Sequence, residues 1–372
     1  MKTLRVLHIG NGNAFKIKAI IRFFRDRGHD IHFIPMPPSK SSLEGIEYHS
    51  LPPFGRFSEV QVLRNILSVR EMVRKIRPDI VHCHNARGPG WYGAFSGHRP
   101  LIIHAYGGDV LPYRYRMKDI FSKILTTYTC RRLDMLVVTA AHMVKGASHL
   151  RISEEKIRVI PRGVDLERFK PDLDTAVLRE KLGVHHASPV IFSPRYQIHE
   201  PLYNLDIIIQ ALPLVRKSYS NAVCIQLYDG SRKQERRALE KMAADSGVLE
   251  SYKLIETVDN QEMPYFYNLA DIMVSVPSSD GFPVSVLEAS ACGTPMIVTG
   301  LDYTKEWFTN GENGILVPVR DPVSLANAVV RLLGDNSLRL RMIEENRKQV
   351  EEKADYEKCM IKLEDLYYEL LS

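Results

Sequence analysis

No stretch of about 18 residues in this 372-residue chain is free of charges, Pro and Gly, so no segment reads as a bilayer-spanning helix. The first ten residues have too short an apolar run and no small-residue cleavage site, which argues against export and for a first buried strand. Cysteine is scarce: Cys83, Cys130, Cys224, Cys292 and Cys359 are scattered, odd in number and without a C-x-x-C pair. That excludes a disulfide or zinc framework and fits reduced thiols in a cytosol. There is also no short internal repeat and no low-complexity tract.

What is present is the composition of a soluble globular protein, 45% hydrophobic and 25% charged. The chain is too long for one ordinary core, and two domains of roughly 150 to 180 residues are expected. The net charge of +6 is uneven, with Arg64, Arg70, Arg74, Lys75 and Arg77 in one segment and Arg114, Arg116, Lys118, Lys123, Arg131 and Arg132 in another. Such basic surface suits anionic lipid headgroups or an anionic acceptor; a solvated helix face is the alternative. No recognised nucleic-acid motif accompanies it, so nucleic acid is not an expected partner.

The first half alternates short apolar runs with helical patterns. Strands are expected at 4–9, 30–34, 79–82, 101–104 and 135–139, with a helix over 16–27 closed by Gly28. Leu63, Ile66, Leu67, Val73 and Ile76 recur at helical spacing before Pro78. Around 161–182 the sequence is dense in Pro, Gly and charge and reads as an interdomain linker. A second series follows, with strands at 190–193, 223–228, 252–255, 272–276 and 296–299. Helices are expected at 206–215, 234–244, 322–333, 338–353 and 356–371. The βαβ order implies α/β architecture with two doubly wound, Rossmann-like domains, which bind ligands at the carboxyl ends of their strands. A cleft between the domains is the expected active site.

Residues 279 to 295 carry the densest signal. Asp280 and Glu288 stand eight positions apart across a glycine turn and the start of a helix expected near Pro283, which suits a first helical turn. Gly281 permits close backbone approach to a ligand. The free N–H groups and positive dipole end of such a helix attract phosphate, and Glu288, one turn below Val284, can reach hydroxyls of the same ligand. The competing reading of Asp280 is a plain helix cap.

With these residues the chain resembles the retaining, GT-B fold glycosyltransferases of the large family 4 group (glycosyl transferases group 1). The resemblance runs along almost the whole chain. It rests on Pro161-Arg162-Gly163-Val164-Asp165 with Phe169, Ser193-Pro194-Arg195, Tyr203-Asn204, Ala270-Asp271-Ile272, the 279–295 block, and Asn313-Gly314-Ile315-Leu316-Val317-Pro318. It implies that Glu288 binds ribose hydroxyls of a nucleotide and that Asp280, where most members carry Glu, approaches the transferred sugar. Arg195 matches the diphosphate-binding arginine; a planar guanidinium suits bidentate phosphate contact and stabilises charge on a leaving diphosphate. A surface ion pair is the alternative for Arg195. The usual lysine a few residues later is absent, since none lies between Arg195 and Lys217.

The resemblance further places Gly281, Phe282, Pro283, Val284, Ser285 and Val286 against the donor, and the base near Thr257 and Val258. The Gly10-Asn-Gly12 loop fails as a dinucleotide fingerprint because Phe15 holds the third glycine position; in the resembled family it approaches the donor phosphates, with Gly12 the contact. In His104-Ala-Tyr106-Gly107-Gly108-Asp109, either His104 or Tyr106 is the candidate to touch sugar or acceptor, and Asp109 is a candidate acceptor contact. His82-Cys83-His84 places two imidazoles on one strand face, but no third ligand of recognisable spacing accompanies them, so a cleft-facing or polar strand end is preferred to a metal.

The resulting expectation is an N-terminal acceptor-side domain (1–168), a linker (169–186), a nucleotide-sugar domain (187–354) and a C-terminal helix (355–372) returning to the first. The implied activity is metal-independent retaining transfer, without a cofactor, from a nucleotide diphosphate sugar to a glycan or lipid-linked hydroxyl acceptor in bacterial envelope synthesis. The implied location is cytoplasmic, peripheral at the inner face of the plasma membrane. The alternatives are a non-catalytic nucleotide-sugar-binding protein and a nucleotide-sugar epimerase of the same architecture. A dinucleotide-dependent oxidoreductase lacks its glycine fingerprint and its acidic ribose residue.

Overall fold

Short β-branched and apolar runs form strands buried on both faces when helices cover a parallel sheet, and both halves of this chain are built that way. The computed structural model describes residues 2–36, 42–51, 59–111, 120–196 and 201–372. Two units result, Met1–Arg162 with Lys358–Ser372, and Gly163–Glu357. Arg114, Arg116 and Lys118 of the second basic segment lie outside the described residues.

The first unit holds a seven-stranded sheet of order β3-β2-β1-β4-β5-β6-β7. Its strands are β1 (Arg5–Gly10), β2 (Asp30–Pro35), β3 (Glu47–Tyr48), β4 (Ile80–His84), β5 (Leu101–His104), β6 (Met135–Val138) and β7 (Ile157–Val159), every described pairing being parallel. Strand order reverses at β1 and β4, which therefore flank its topological switch point. Leu7, Ile9, Val81, Ile103 and Leu136 form the sheet side of the core, with Ile66, Val69 and Val73 from the helix Glu59–Ile76 packed on it. Leu63 and Leu67, expected on the apolar stripe of that helix, are instead 53% and 67% exposed. Its solvent face thus mixes Val60, Leu63 and Leu67 with Arg64, Arg70, Arg74 and Lys75.

The helix Tyr356–Glu369 completes this first unit from the far end of the chain. Glu364 accepts from Arg27 Nε (2.9 Å) and lies 2.8 Å from His29 Nε2. Tyr367 stacks on Phe24 with ring centroids 4.6 Å apart, and Tyr368 donates to the Lys2 carbonyl at 2.7 Å. No described helix is long and apolar enough to cross a membrane.

The second unit carries six parallel strands in the order β10-β9-β8-β11-β12-β13. They are β8 (Val190–Ser193), β9 (Val223–Tyr228), β10 (Tyr252–Glu256), β11 (Ile272–Ser275), β12 (Met296–Thr299) and β13 (Ile315–Val317). Here β8 and β11 are neighbours at the reversal, in register at Ile191 with Ile272 and Phe192 with Met273. The 169–186 stretch is folded onto this unit: Ala176–Lys181 is helical, Phe169 is 1% exposed, and the Leu173 N–H donates to Asn268 Oδ1 at 3.1 Å. Chain entry and exit run side by side, with Val164 N–H on the Ala354 carbonyl at 2.9 Å and Tyr356 N–H on the Val164 carbonyl at 3.0 Å. Gly163 makes that crossing possible, because its φ is +71° and a Cβ there would sit 2.5 Å from the Tyr356 Cα.

Candidate functional site

At the switch point of the second unit, the loop after β8 delivers Arg195 and the loop after β11 delivers Asp280. Arg195 Nη2 lies 2.6 Å from Asp280 Oδ2, with the two side chains 13% and 18% exposed. The guanidinium also donates to Ser275 Oγ from Nε (3.3 Å) and Nη2 (3.2 Å) and lies over the Tyr203 ring at 4.8 Å. Burial opposes the Arg195 charge, but Asp280 together with Tyr303 and Tyr203 outweighs it and raises the pKa above the usual arginine value. Arg195 is therefore not a surface ion pair; it is a fixed cation at the carboxyl edge of the sheet.

Asp280 does not cap the following helix. Its Oδ1 accepts from the next residue, Gly281 N–H, at 2.7 Å, while the helix Val284–Ala291 has no side-chain cap. Pro283 is the N-cap with extended ψ (129°), not a residue of the first turn as its chemistry suggested. The Val284 and Ser285 N–H groups thus open the helix without intrahelical partners, the geometry that favours an anion. The hydroxyls of Ser279 and Ser285 are buried without a hydrogen-bond partner, so two further polar groups stand beside this helix start.

Glu288 lies one turn into the helix, where Tyr267 donates to its Oε2 at 2.7 Å. Burial first, then the Glu288 charge, raises the Tyr267 pKa well above normal, while the Arg195 cation acts in the opposite direction. Arg195, Asp280, Tyr267 and Glu288 consequently form one electrostatic group. Phe282, expected against the donor, is 2% exposed and packs on Trp307 (4.7 Å) and edge-on to Tyr303 (5.9 Å), so it anchors the loop. Val284 and Val286 are buried, and their side chains serve packing. Thr257 is exposed and Val258 half-buried just beyond β10, with the Thr257 N–H held by the Tyr228 carbonyl at 2.9 Å.

Tyr203 and Asn204 stand near the place of the absent lysine, and each engages an arginine. Tyr203 lies under Arg195, whereas Asn204 Oδ1 accepts from Arg320 Nη1 at 3.0 Å. Arg320, also paired with Asp206 at 2.6 Å, went unnoticed in the sequence because its loop carries no motif. Tyr267, on the helix Met263–Leu269, carries no motif either.

In the first unit, Gly12 is buried in the turn between β1 and the helix Phe15–Asp26. His104 and Tyr106 do point the same way, their rings stacked at 4.8 Å. Tyr106 contacts His84 Nδ1 through its hydroxyl at 2.8 Å and carries the Arg162 guanidinium over its ring at 4.5 Å. Arg162 belongs to the linker motif, whose sequence gave no sign of this cation–π contact. Burial, then the Arg162 charge, pulls the His104 pKa down to about 3, so its imidazole offers hydrogen bonds and no positive charge at neutral pH.

Asp109, by contrast, turns inward. Its Oδ2 accepts from Ala86 N–H (3.0 Å) and its Oδ1 from Tyr106 (3.0 Å) and Gly107 (3.1 Å) N–H groups. It is 2% exposed, and burial raises its pKa against these bonds. Its carboxylate clamps the loop that displays Tyr106.

Comparison with known proteins follows this geometry. Residues 16–168 match the model described as Glycosyltransferase Family 4 and residues 177–349 the one described as Glycosyl transferases group 1. A D-inositol 3-phosphate glycosyltransferase of Acidothermus cellulolyticus is 32% identical over 294 residues, 71% of this chain and 64% of that protein. Its counterpart in Xylanimonas cellulosilytica matches over 45% of its own length, so the chain spans about half to two thirds of these curated relatives. The Escherichia coli UDP-Gal:alpha-D-GlcNAc-diphosphoundecaprenol alpha-1,3-galactosyltransferase is 23% identical over 84% of this chain and 81% of its own. Among solved structures, Anabaena HepE in complex with UDP and glucose superposes with a TM-score of 0.81 at 17% identity, covering 98% of this chain and 99% of that one. With two parallel-sheet Rossmann-like units of GT-B type and a family model matched on each, the chain belongs to the glycosyltransferases of family 4, the glycosyl transferases group 1.

Proposed function

We propose that this protein transfers a sugar from a nucleotide diphosphate sugar to a hydroxyl acceptor with retention of anomeric configuration, in the synthesis of an envelope polysaccharide or glycolipid. The observation that carries the reading is the convergence of Arg195, Asp280 and the open N-terminus of Val284–Ala291 at one switch point. In this reading the donor diphosphate lies against Arg195 and the Val284 and Ser285 N–H groups. Glu288, braced by Tyr267, takes the ribose hydroxyls, and the base lies near Thr257 and Val258. The bond from the sugar C1 to the diphosphate oxygen breaks, Arg195 stabilises the charge that develops there, and the acceptor oxygen bonds to C1 on the same face. The leaving diphosphate takes the acceptor proton, so the step needs no metal and no side-chain base.

Gly12 is assigned to the donor phosphates, and His104 or Tyr106 to the sugar or the acceptor, with Asp109 on the acceptor side. The E. coli relative named for a UDP-sugar donor and HepE bound to UDP support trying uridine donors first. Peripheral membrane attachment is supported by the helix Glu59–Ile76, whose exposed Leu63 and Leu67 alternate with Arg64, Arg70 and Arg74. The test of the reaction class is the anomeric configuration of the sugar released or transferred from an α-linked donor, followed by NMR in the presence of EDTA. Product formed as the α anomer supports the reading; a β product, or a reaction that EDTA abolishes, sinks it.

A further inference from the structure

On the first unit's sheet, His8 of β1 lies in register with His82 of β4, and His84 follows two residues on, along the same face. These strands flank the switch point of that sheet. The three residues are 0%, 0% and 2% exposed, and one ring nitrogen of each lies within 4.8 Å of the other two. His8 Nδ1 and His84 Nε2 are 3.1 Å apart. Two ligands about 2.0–2.1 Å from a tetrahedral Zn2+ stand about 3.3 Å from each other, so this spacing already suits a shared ion.

Outer partners fix the rings as they do around metal-bound histidines. His84 Nδ1 meets the Tyr106 hydroxyl at 2.8 Å, and His82 Nδ1 meets the hydroxyl of Tyr367 on the returning helix. His82 Nε2 is then left for a ligand, buried without a hydrogen-bond partner, as is His8 Nε2, while the His8 Nδ1 to His84 Nε2 hydrogen bond is the contact an ion would replace. His104 stands beside them, its ring 5.6 Å from that of His82, with both nitrogens buried and unpartnered. So many unsatisfied buried imidazole nitrogens are costly unless something pairs with them.

We propose that His8, His82 and His84 form a buried site for a divalent transition metal of the Zn2+ class, with a water in the fourth position hydrogen-bonded to His104. An all-imidazole set selects Zn2+, Cu2+ or Ni2+ over Mg2+ and Ca2+, which prefer oxygen. The ion joins β1 to β4 and, through Tyr367, fastens the C-terminal helix. The half-exposed group His32, Glu47 and His49 provides a comparison site on the same unit.

The test uses the full chain, stripped with chelator and titrated with Zn2+ alone. One equivalent should survive gel filtration and raise Tm by about 5 °C. His8→Gln and His84→Gln should each abolish both effects, whereas His49→Gln should leave them unchanged. X-ray absorption of the zinc-loaded wild type should give a nitrogen shell at about 2.0 Å with imidazole scattering, a readout that stands even where a variant fails to fold. No stoichiometric zinc, zinc retained by both His8→Gln and His84→Gln, or a shell without imidazole would overturn the proposal.

Discussion

Arg195 and Asp280, assigned to the diphosphate and the sugar of one donor, are held together as an ion pair at 2.6 Å. Each therefore sets the other's strength. Asp280→Asn keeps the shape but frees the guanidinium for a diphosphate. The expected outcome is nucleoside diphosphate affinity equal to or tighter than wild type, with turnover reduced at least about tenfold through the lost sugar contact. Calorimetry on the nucleotide beside steady-state kinetics separates the two effects. A parallel loss of affinity and rate would show that Asp280 acts only by holding Arg195.

Tyr267 should matter through Glu288. Tyr267→Phe removes one hydrogen bond to a carboxylate, a change of about 1.5–3 kcal/mol. Donor Kd should weaken by about tenfold and Tm should fall by a few degrees, both less than in Glu288→Ala. Equal effects of Tyr267→Phe on donors and on a nucleotide lacking ribose hydroxyls would count against the ribose assignment.

The chain crossing at Gly163 is intolerant of a side chain. Gly163→Ala must abandon φ +71° or drive its Cβ into the Tyr356 backbone. A loss of about 2 kcal/mol is expected, seen as a Tm lower by about 5 °C in calorimetry. An unchanged melting profile would contradict the backbone geometry.

Acid should loosen the returning helix. Burial pushes the Glu364 carboxyl up, but the Arg27 and His29 partners outweigh it and hold its pKa below the ordinary 4.5. A depressed folded pKa means that this stabilisation is present above about pH 4.5 and is lost as pH falls through the lower, folded value. Amide exchange across 356–369, corrected for intrinsic rates, should accelerate below that range in wild type. In Glu364→Gln it should already be fast at neutral pH and show no such step.

Much of the second unit was legible in the sequence because each signal was local. The strands at 190–193, 223–228 and 296–299 match the observed β8, β9 and β12 residue for residue, since a buried parallel strand is a short apolar run bounded by breakers. β3, β7 and β13, of two or three residues, are too short to leave such a run. Arg195 and Asp280 were readable as candidates because each lies in the loop after its strand, but their mutual contact spans 85 positions and depends on β8 lying beside β11. The same limit hid the third histidine: His82 and His84 share a face by spacing alone, whereas His8 joins them only through the register of β1 on β4. Leu63 and Leu67 misled because helical periodicity counts apolar residues without knowing which face meets solvent. Their exposure sharpens the membrane proposal instead, and Leu63→Glu with Leu67→Glu should abolish salt-sensitive flotation on anionic vesicles while leaving donor hydrolysis unchanged.

The most direct measurement of the central claim is thermal shift and slow donor hydrolysis across UDP, GDP, ADP and dTDP sugars, with wild type, Arg195→Ala and Glu288→Ala. One nucleotide class should stabilise the wild type and be hydrolysed. Removing Arg195 should weaken that binding by roughly thirtyfold or more, an effect on the order of 2 kcal/mol, and removing Glu288 should weaken it as well. Stabilisation by no nucleotide sugar, or binding unchanged in both variants, would contradict the account.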